Sequence, residues 1–466
     1  MLLKYPLLFP PTECQEKNKK VILSLALQMA KDNHSLNANI DLNFIYLLIL
    51  YNKLLEEFME RVISFIGIFV LLGIAWLFSK NKKAINYKTV IMGTLIQIVF
   101  AFLVLKFPPG RKFFEIMNDV IIKIISFSEE GAKFIFGNLI NNQSLGFIFA
   151  FQVLPTIIFF SSLMSVLYYL GIMQKVVLFF AKIMAKFMGT SGAESLSASA
   201  NIFVGQTEAP LVVRPYVAEM TQSELLAVMT GGMATIAGGV MAAYVGILKN
   251  YIPTIAGHLL AASIMSAPAA LVMAKIIIPE TEEPKTRGIV KLNVEITDAN
   301  LIDAAANGAT TGLTLALNVA ACLIAFMSLL ALANYITGFI YPGLTLEKIM
   351  GWIFYPIAWI MGTPSADVSK VAEWMGQKTI LNEFVAYFNM ANFLKDHPGI
   401  ISERAVIISS YALCGFSNFL SIAIQIGGIG GIAPNRRHDL ARLGLYAVLA
   451  GSLACFMTAT IAGILI

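Results

Sequence analysis

The chain has 466 residues, 58% hydrophobic and 13% charged, with a formal net charge of +5. A soluble protein of this length carries about a quarter charged residues, so a soluble globular class is excluded. The basic residues lie in short stretches between apolar blocks, a pattern of loops flanking membrane spans and not of nucleic-acid binding. Cys14, Cys322, Cys414 and Cys455 form no CxxC pair, the four histidines have no metal-ligand spacing, and there is no P-loop. Disulfide, zinc and ATP-driven chemistry are therefore not indicated.

In chain order, residues 1–58 differ from the rest. They are Asn/Lys/Leu-rich without a clean helical period, and Met59 directly precedes a strong spanning segment. Residues 1–58 are expected to be a non-native N-terminal extension, with a genuine extension as the alternative. The first span is expected at Val62–Phe78 and the second at Thr89–Leu105, separated by the basic loop of Lys80, Lys82, Lys83 and Lys88. Phe113–Phe136 mixes charges and apolar residues at helical spacing, which predicts an interfacial helix. The third span is expected at Leu145–Leu170, kinked at Pro155, and Gln174–Met188 is again amphipathic.

Residues 191–220 have a polar centre. The fourth span (Leu225–Leu248) and the fifth (Pro253–Ile278) follow, then a charged loop, Pro279–Asp298. The sixth span is Ala309–Ile340, residues 345–395 again have a polar centre, and the seventh and eighth spans are Ala405–Gln425 and Leu443–Ile466. A run of ~18 apolar residues is long enough to cross the hydrocarbon core. The basic clusters around Lys82, Lys182, Arg287 and Arg436 all fall on one side if 191–220 and 345–395 enter and leave on the same side. The fold class expected is an all-α polytopic membrane protein with eight transmembrane helices, two opposed re-entrant hairpins and interfacial helices. Spans three to five and six to eight repeat the order span, hairpin, span, span in opposite orientation. Such an inverted repeat is typical of secondary transporters.

Three polar clusters carry the chemistry. In Asn201-Ile-Phe-Val-Gly-Gln-Thr-Glu-Ala-Pro210, Gly205 and Pro210 bracket polar residues that are costly at membrane depth without a partner. A broken tip there frees carbonyls for a hard cation such as sodium, whereas a surface loop is the bland reading. The second cluster is Gly376–Tyr387, with Asn382 and Glu383 at its centre; the bland alternative is an interfacial helix. In the third, Cys414–Ser421, Asn418 and Ser421 share a helix face, and ordinary interhelical hydrogen bonding is the alternative. Together an acid, an Asn and a Ser suit a sugar's hydroxyls, and an amide, a hydroxyl and an acid suit a heterocycle's edge.

With Gly205-Gln-Thr-Glu-Ala-Pro210 and Gly376-x-Lys-x-x-x-Asn-Glu-Phe-Val-Ala-Tyr387 in order, the chain resembles the concentrative nucleoside transporters over Met59–Ile466. The resemblance implies a homotrimer in the bacterial inner membrane, importing nucleosides on a sodium gradient by an elevator movement. The alternatives are proton coupling through Glu208 or Glu383 and, from another class, a receptor or channel of similar span count. It implies that Gln206, Thr207 and Glu208 face the base, with Val240 packing on it. Glu383, Asn418 and Ser421 would hold the ribose with Phe416 close by. Sodium would be held by the Asn201 and Thr235 side chains and the carbonyls of Val204 and Ile236, with Thr235 where relatives often have Ser. The implied division is scaffold at 59–170 and 299–342, and transport domain at 171–298 (hairpin 191–220) and 343–466 (hairpin 345–395). Gly205, by the same resemblance, implies acceptance of purine as well as pyrimidine nucleosides. Nothing in the sequence points to an enzyme or to nucleic acid.

Overall fold

The computed structural model describes residues 38–140, 148–288, 290 and 298–466. Sixteen helices of more than five residues carry the architecture of those residues, and no strand occurs among them. They are α1 (Ala38–Leu77), α2 (Tyr87–Leu105), α3 (Pro108–Phe136), α4 (Leu154–Tyr169), α5 (Ile172–Met188) and α6 (Gly192–Ala200). Next come α7 (Gln222–Ala234), α8 (Gly238–Leu248), α9 (Ile255–Ile277), α10 (Leu301–Ile340) and α11 (Leu346–Ile360). The last are α12 (Val368–Ile380), α13 (Glu383–Asp396), α14 (Glu403–Leu413), α15 (Phe419–Ile432) and α16 (Arg437–Leu465).

Among the described residues, seven helices are long and apolar enough to cross a membrane. The expected seventh span, Ala405–Gln425, is two shorter helices, α14 and α15, parted at residues 414–418. The fourth is also divided, into α7 and α8, although the two halves together satisfy the length. The third is interrupted at Val153, two residues before Pro155: Phe149–Gln152 forms one turn and α4 starts afresh with Pro155 in its first turn. That position suits proline, whose missing N–H would have no partner there. α1 runs without interruption through Met59.

Both segments with polar centres contain a helical pair joined at a non-helical tip. In 191–220, α6 ends at Ala200 and a turn leads into the short helical stretches Ala209–Val213 and Arg214–Val217. Residues 345–395 divide into three helices, of which α12 and α13 pack together around Leu381-Asn382, while α11 is a separate amphipathic helix lying along α12. Local chemistry fixes the starts. Ser191 and Glu194 form a capping box at α6, and Thr221 and Glu224 form another at α7. Each satisfies two backbone donors that a helix start leaves open.

These two boxes are joined by buried charge. Lys275 Nζ lies 2.7 Å from Glu194 and 3.2 Å from Glu280, and donates to Ser223 Oγ. Ser191 Oγ donates to Glu224. A buried ammonium shared among carboxylates is tolerated because its partners are in place, and it ties the roots of α6, α7 and α9 together.

α9 and α16 form the core with α7, α2 and α1 around them. Their spanning windows are 89% and 83% buried, against 12% for α10. α10 packs along α4, and α4 reaches the rest largely through α8 and α3. α10 meets α4 closely because Gly308 and Gly312 face Ser161, Ser162 and Ile158 of α4, where a side chain would collide.

Candidate functional site

The site forms where two helix breaks cross. α7 stops at Ala234, Thr235 turns to extended backbone, and α8 restarts at Gly238. α14 stops at Leu413 and α15 restarts after Asn418, whose side chain accepts from Ser421 N and caps it. The backbone N–H of Phe416 donates to the Thr235 carbonyl at 3.3 Å, so one break satisfies the other. Gly415 permits this approach: a Cβ there would lie 2.9 Å from the Met233 carbonyl oxygen and 2.5 Å from Cys455 Sγ.

The expected ribose residues come together. Glu383 is buried at the start of α13. Its Oε2 accepts from Asn418 Nδ2 at 3.0 Å, and its Oε1 accepts from Tyr244 OH at 2.7 Å. Ser421 Oγ accepts from Gln206 Nε2 at 3.2 Å, which links the tip of the first pair to α15. Gln206 is buried, and its Oε1 has no hydrogen-bond partner. Thr207 packs its methyl against Gly428 on α15. Val240 is buried near the start of α8, and Phe416 is half-buried within the second break.

Glu208 goes elsewhere. Its side chain is exposed in a cavity of about 900 Å³, lined also by Tyr168, Ser161, Gly205, Ala237 and Thr311. The cavity separates the first tip from α4 and α10. Gln206 and Glu208, two apart at a turn, thus serve opposite sides. The neighbour of Gly205 is also not open space: a Cβ there would meet the Glu208 carboxylate.

The four expected sodium ligands adjoin the first break. Asn201 is fully buried; its Nδ2 donates to Ser197 O, while its Oδ1 has no partner. Thr235 Oγ1 donates to the Gly231 carbonyl at 2.8 Å, leaving its lone pairs to accept or coordinate. Among the described residues no hydrogen bond ends on the Val204 or Ile236 carbonyl. A buried oxygen without a partner costs about 1–3 kcal/mol. A set of neutral oxygens with one such orphan fits a hard monovalent cation.

Two residues escaped the sequence reading. Tyr244 lies one helical turn beyond Val240 on α8, and that i, i+4 spacing was the available signal. Gln425 lies one turn beyond Ser421 on α15. Its Nε2 donates to the Met229 carbonyl, and its Oε1 is buried without a partner. Both glutamines crowd Gly232 of α7, where a Cβ would lie 2.7 Å from Gln206 Cβ and 2.8 Å from Gln425 Nε2.

The chain that builds this site matches known proteins in sequence and in fold. Family models match residues 66–139 and 258–463 as the N- and C-terminal parts of the Na+ dependent nucleoside transporter, and residues 150–251 as a nucleoside recognition (Gate) module. The chain belongs to the concentrative nucleoside transporter family. The transporter is 44% identical to the nucleoside permease NupC of Helicobacter pylori, over 87% of this chain and 98% of that one. It is 41% identical to sodium/nucleoside cotransporter 1 of Mus musculus, over 87% of this chain and 64% of that one. Its fold matches CNTnw in an inward-facing substrate-bound state with a TM-score of 0.83 and 46% identity, over 87% and 98% of the two chains. The transporter is a membrane protein of a nucleoside-transporting family, and not an enzyme.

Proposed function

We propose that the transporter imports nucleosides across the bacterial inner membrane, driven by a sodium gradient. The observation that carries the coupling is the unpartnered, fully buried Asn201 Oδ1 beside the Thr235 break. Sodium, as co-substrate, would neutralise the oxygens converging there and hold the first tip against α7. With that tip fixed, Gln206 presents its amide and Thr207 its hydroxyl to the base, beside Val240. Glu383 accepts the ribose hydroxyls, oriented by Tyr244 and Asn418, with Ser421 alongside and Phe416 packed beneath the sugar. Glu208 faces the cavity on the α4 and α10 side, where it meets the nucleoside as the tip approaches that surface. In the proton-coupled alternative Glu383 or Glu208 would have to titrate.

In the mechanism we propose, α4 and α10 are the scaffold and the crossed breaks travel with the core in an elevator movement. The sequence-based boundaries assign all of 59–170 to the scaffold. Because α1 and α2 pack on α16 and α9, we assign these two helices to the moving body. The two helical pairs then act as opposed re-entrant hairpins, and α3 and α11 lie along the interface. The lipid-sized apolar face of α10, with Leu317, Ile324 and Phe339 exposed, is the surface we assign to a homotrimer.

The test is uptake of labelled uridine into proteoliposomes with and without a sodium gradient. Uptake is expected to require sodium, and Asn201→Ala to raise the sodium concentration needed. Equal uptake on a proton gradient in sodium-free buffer would overturn the coupling.

A further inference from the structure

The two repeats treat corresponding places differently. In the first, Asn201 follows the last turn of α6 and abuts the last turn of α7: a Cβ on Gly231 would lie 3.2 Å from Asn201 Nδ2. The buried Asn201 Oδ1 there has no partner. In the second, the residue in the last turn of the tip's first helix is Lys378 of α12, and the broken helix beyond is α14. Lys378 is fully buried. Its Nζ donates to the Ala412 carbonyl in the last turn of α14 at 2.9 Å and lies 5.9 Å from the centre of the Phe456 ring. Its hydrogen bond is to a carbonyl and not to a carboxylate.

A buried ammonium is costly unless something needs its charge. Two features here do. The last carbonyls of a helix have no intrahelical donor and carry the negative end of its dipole. At the same break, Glu383 is a buried carboxylate whose hydrogen-bond donors, Tyr244 and Asn418, are neutral. The first repeat presents an orphan amide oxygen at its break; the second, whose break holds the unpartnered hydroxyl of Ser417, also presents a positive charge on a side chain.

We propose that Lys378 is a tethered cation: its ammonium holds, in the second repeat, the place that an exchangeable sodium ion holds in the first. The second repeat therefore needs no coupling ion of its own, and Glu383 is charge-balanced at every stage of the cycle. Lys378 is a positioning residue, since it acts through the α14 carbonyls and Glu383 and not on the nucleoside. The inference rests on the sodium reading of the Asn201 and Thr235 site.

The experiment is binding of labelled uridine to purified protein across a sodium chloride titration, with choline chloride holding ionic strength constant. Three proteins are compared: the unaltered transporter, Lys378→Met, which keeps a chain of similar length without charge, and Lys378→Arg. Lys378→Met is expected to bind uridine about tenfold to a hundredfold more weakly at low sodium, the span of one lost bond to a charged group. Sodium should restore that binding and choline should not, with the Hill coefficient for sodium rising from about one toward about two. Lys378→Arg should follow the unaltered protein. A Lys378→Met protein with the unaltered sodium dependence overturns the proposal, as does a loss that sodium does not restore, or an Arg variant as impaired as the Met variant. Should Lys378→Met not give a single species on size exclusion, Lys378→Gln replaces it under the same outcomes. An unaltered protein indifferent to sodium would sink the coupling reading by itself; a cation dependence gained by Lys378→Met stays readable in that case.

Discussion

The amide of Phe416 donates to the carbonyl of Thr235, so the broken helices of the two repeats are stitched together through their backbones. Extended backbone inside a packed helical core would otherwise leave polar groups without partners. Asn418 and Ser421 begin the helix that follows one break, and Asn201 abuts the helix that ends at the other. On the function proposed above, a nucleoside held at Asn418 and Ser421 and a sodium ion held at Asn201 act on the same joint.

Gly415 makes that crossing possible. Gly415→Ala would bring a Cβ within 3.0 Å of the Ala234 backbone as well as against Cys455. Overpacking of this kind costs about 1–3 kcal/mol. The apparent Tm in detergent should fall, and sodium should protect less. Because part of the clash is with backbone, adding Cys455→Ala should restore little; full recovery in the double variant would argue against the crossing as described.

Glu383→Gln should weaken ribonucleoside binding by about 1.5–3 kcal/mol, the range for hydrogen bonds to a charged group. The free base lacks the sugar, and its weak binding should change little. Titration calorimetry with uridine and uracil separates the two, and unaltered uridine affinity would refute the role of Glu383.

Tyr244→Phe removes the donor to Glu383 Oε1 and nothing else from the site. A charge-assisted bond is roughly twice as strong as a neutral one. Uridine affinity should fall by about tenfold, or ~1.4 kcal/mol. If Tyr244 acts only through Glu383, Tyr244→Phe should add nothing in a Glu383→Gln background. Additive losses in this double-mutant cycle would show an independent role.

Gly205→Ser should reduce adenosine transport more than uridine transport. A Cβ at 205 meets the Glu208 carboxylate and lies 3.6 Å from Ala237 Cβ. The larger purine is expected to feel a displaced Glu208 first. Competition of unlabelled adenosine against labelled uridine is the measurement. A wild-type protein that ignores excess adenosine, or a variant that loses both equally, would sink the prediction.

Much of this transporter is legible in the amino-acid order because membranes constrain sequence severely. Long uncharged blocks must be helices that satisfy their own backbones, and glycine, proline and polar residues inside them mark the breaks. Asn201, Glu383, Asn418 and Ser421 stood out because buried polarity is rare there. What the order of residues did not reveal are facts about neighbours far apart in the chain. Tyr244 reaches Glu383 across 139 positions, and Gln206 reaches Ser421 across 215. Glu208 turns to the cavity while Gln206, two residues away, turns to α15, because a broken tip has no helical period to tell its faces apart. Hydropathy gives the seventh span as one segment from Ala405 to Gln425, and Gly415-Phe416-Ser417-Asn418 mark an interruption within it. Only the packing of Gly415 on the α7 terminus decides that the chain leaves the helix for five residues and crosses the other break there.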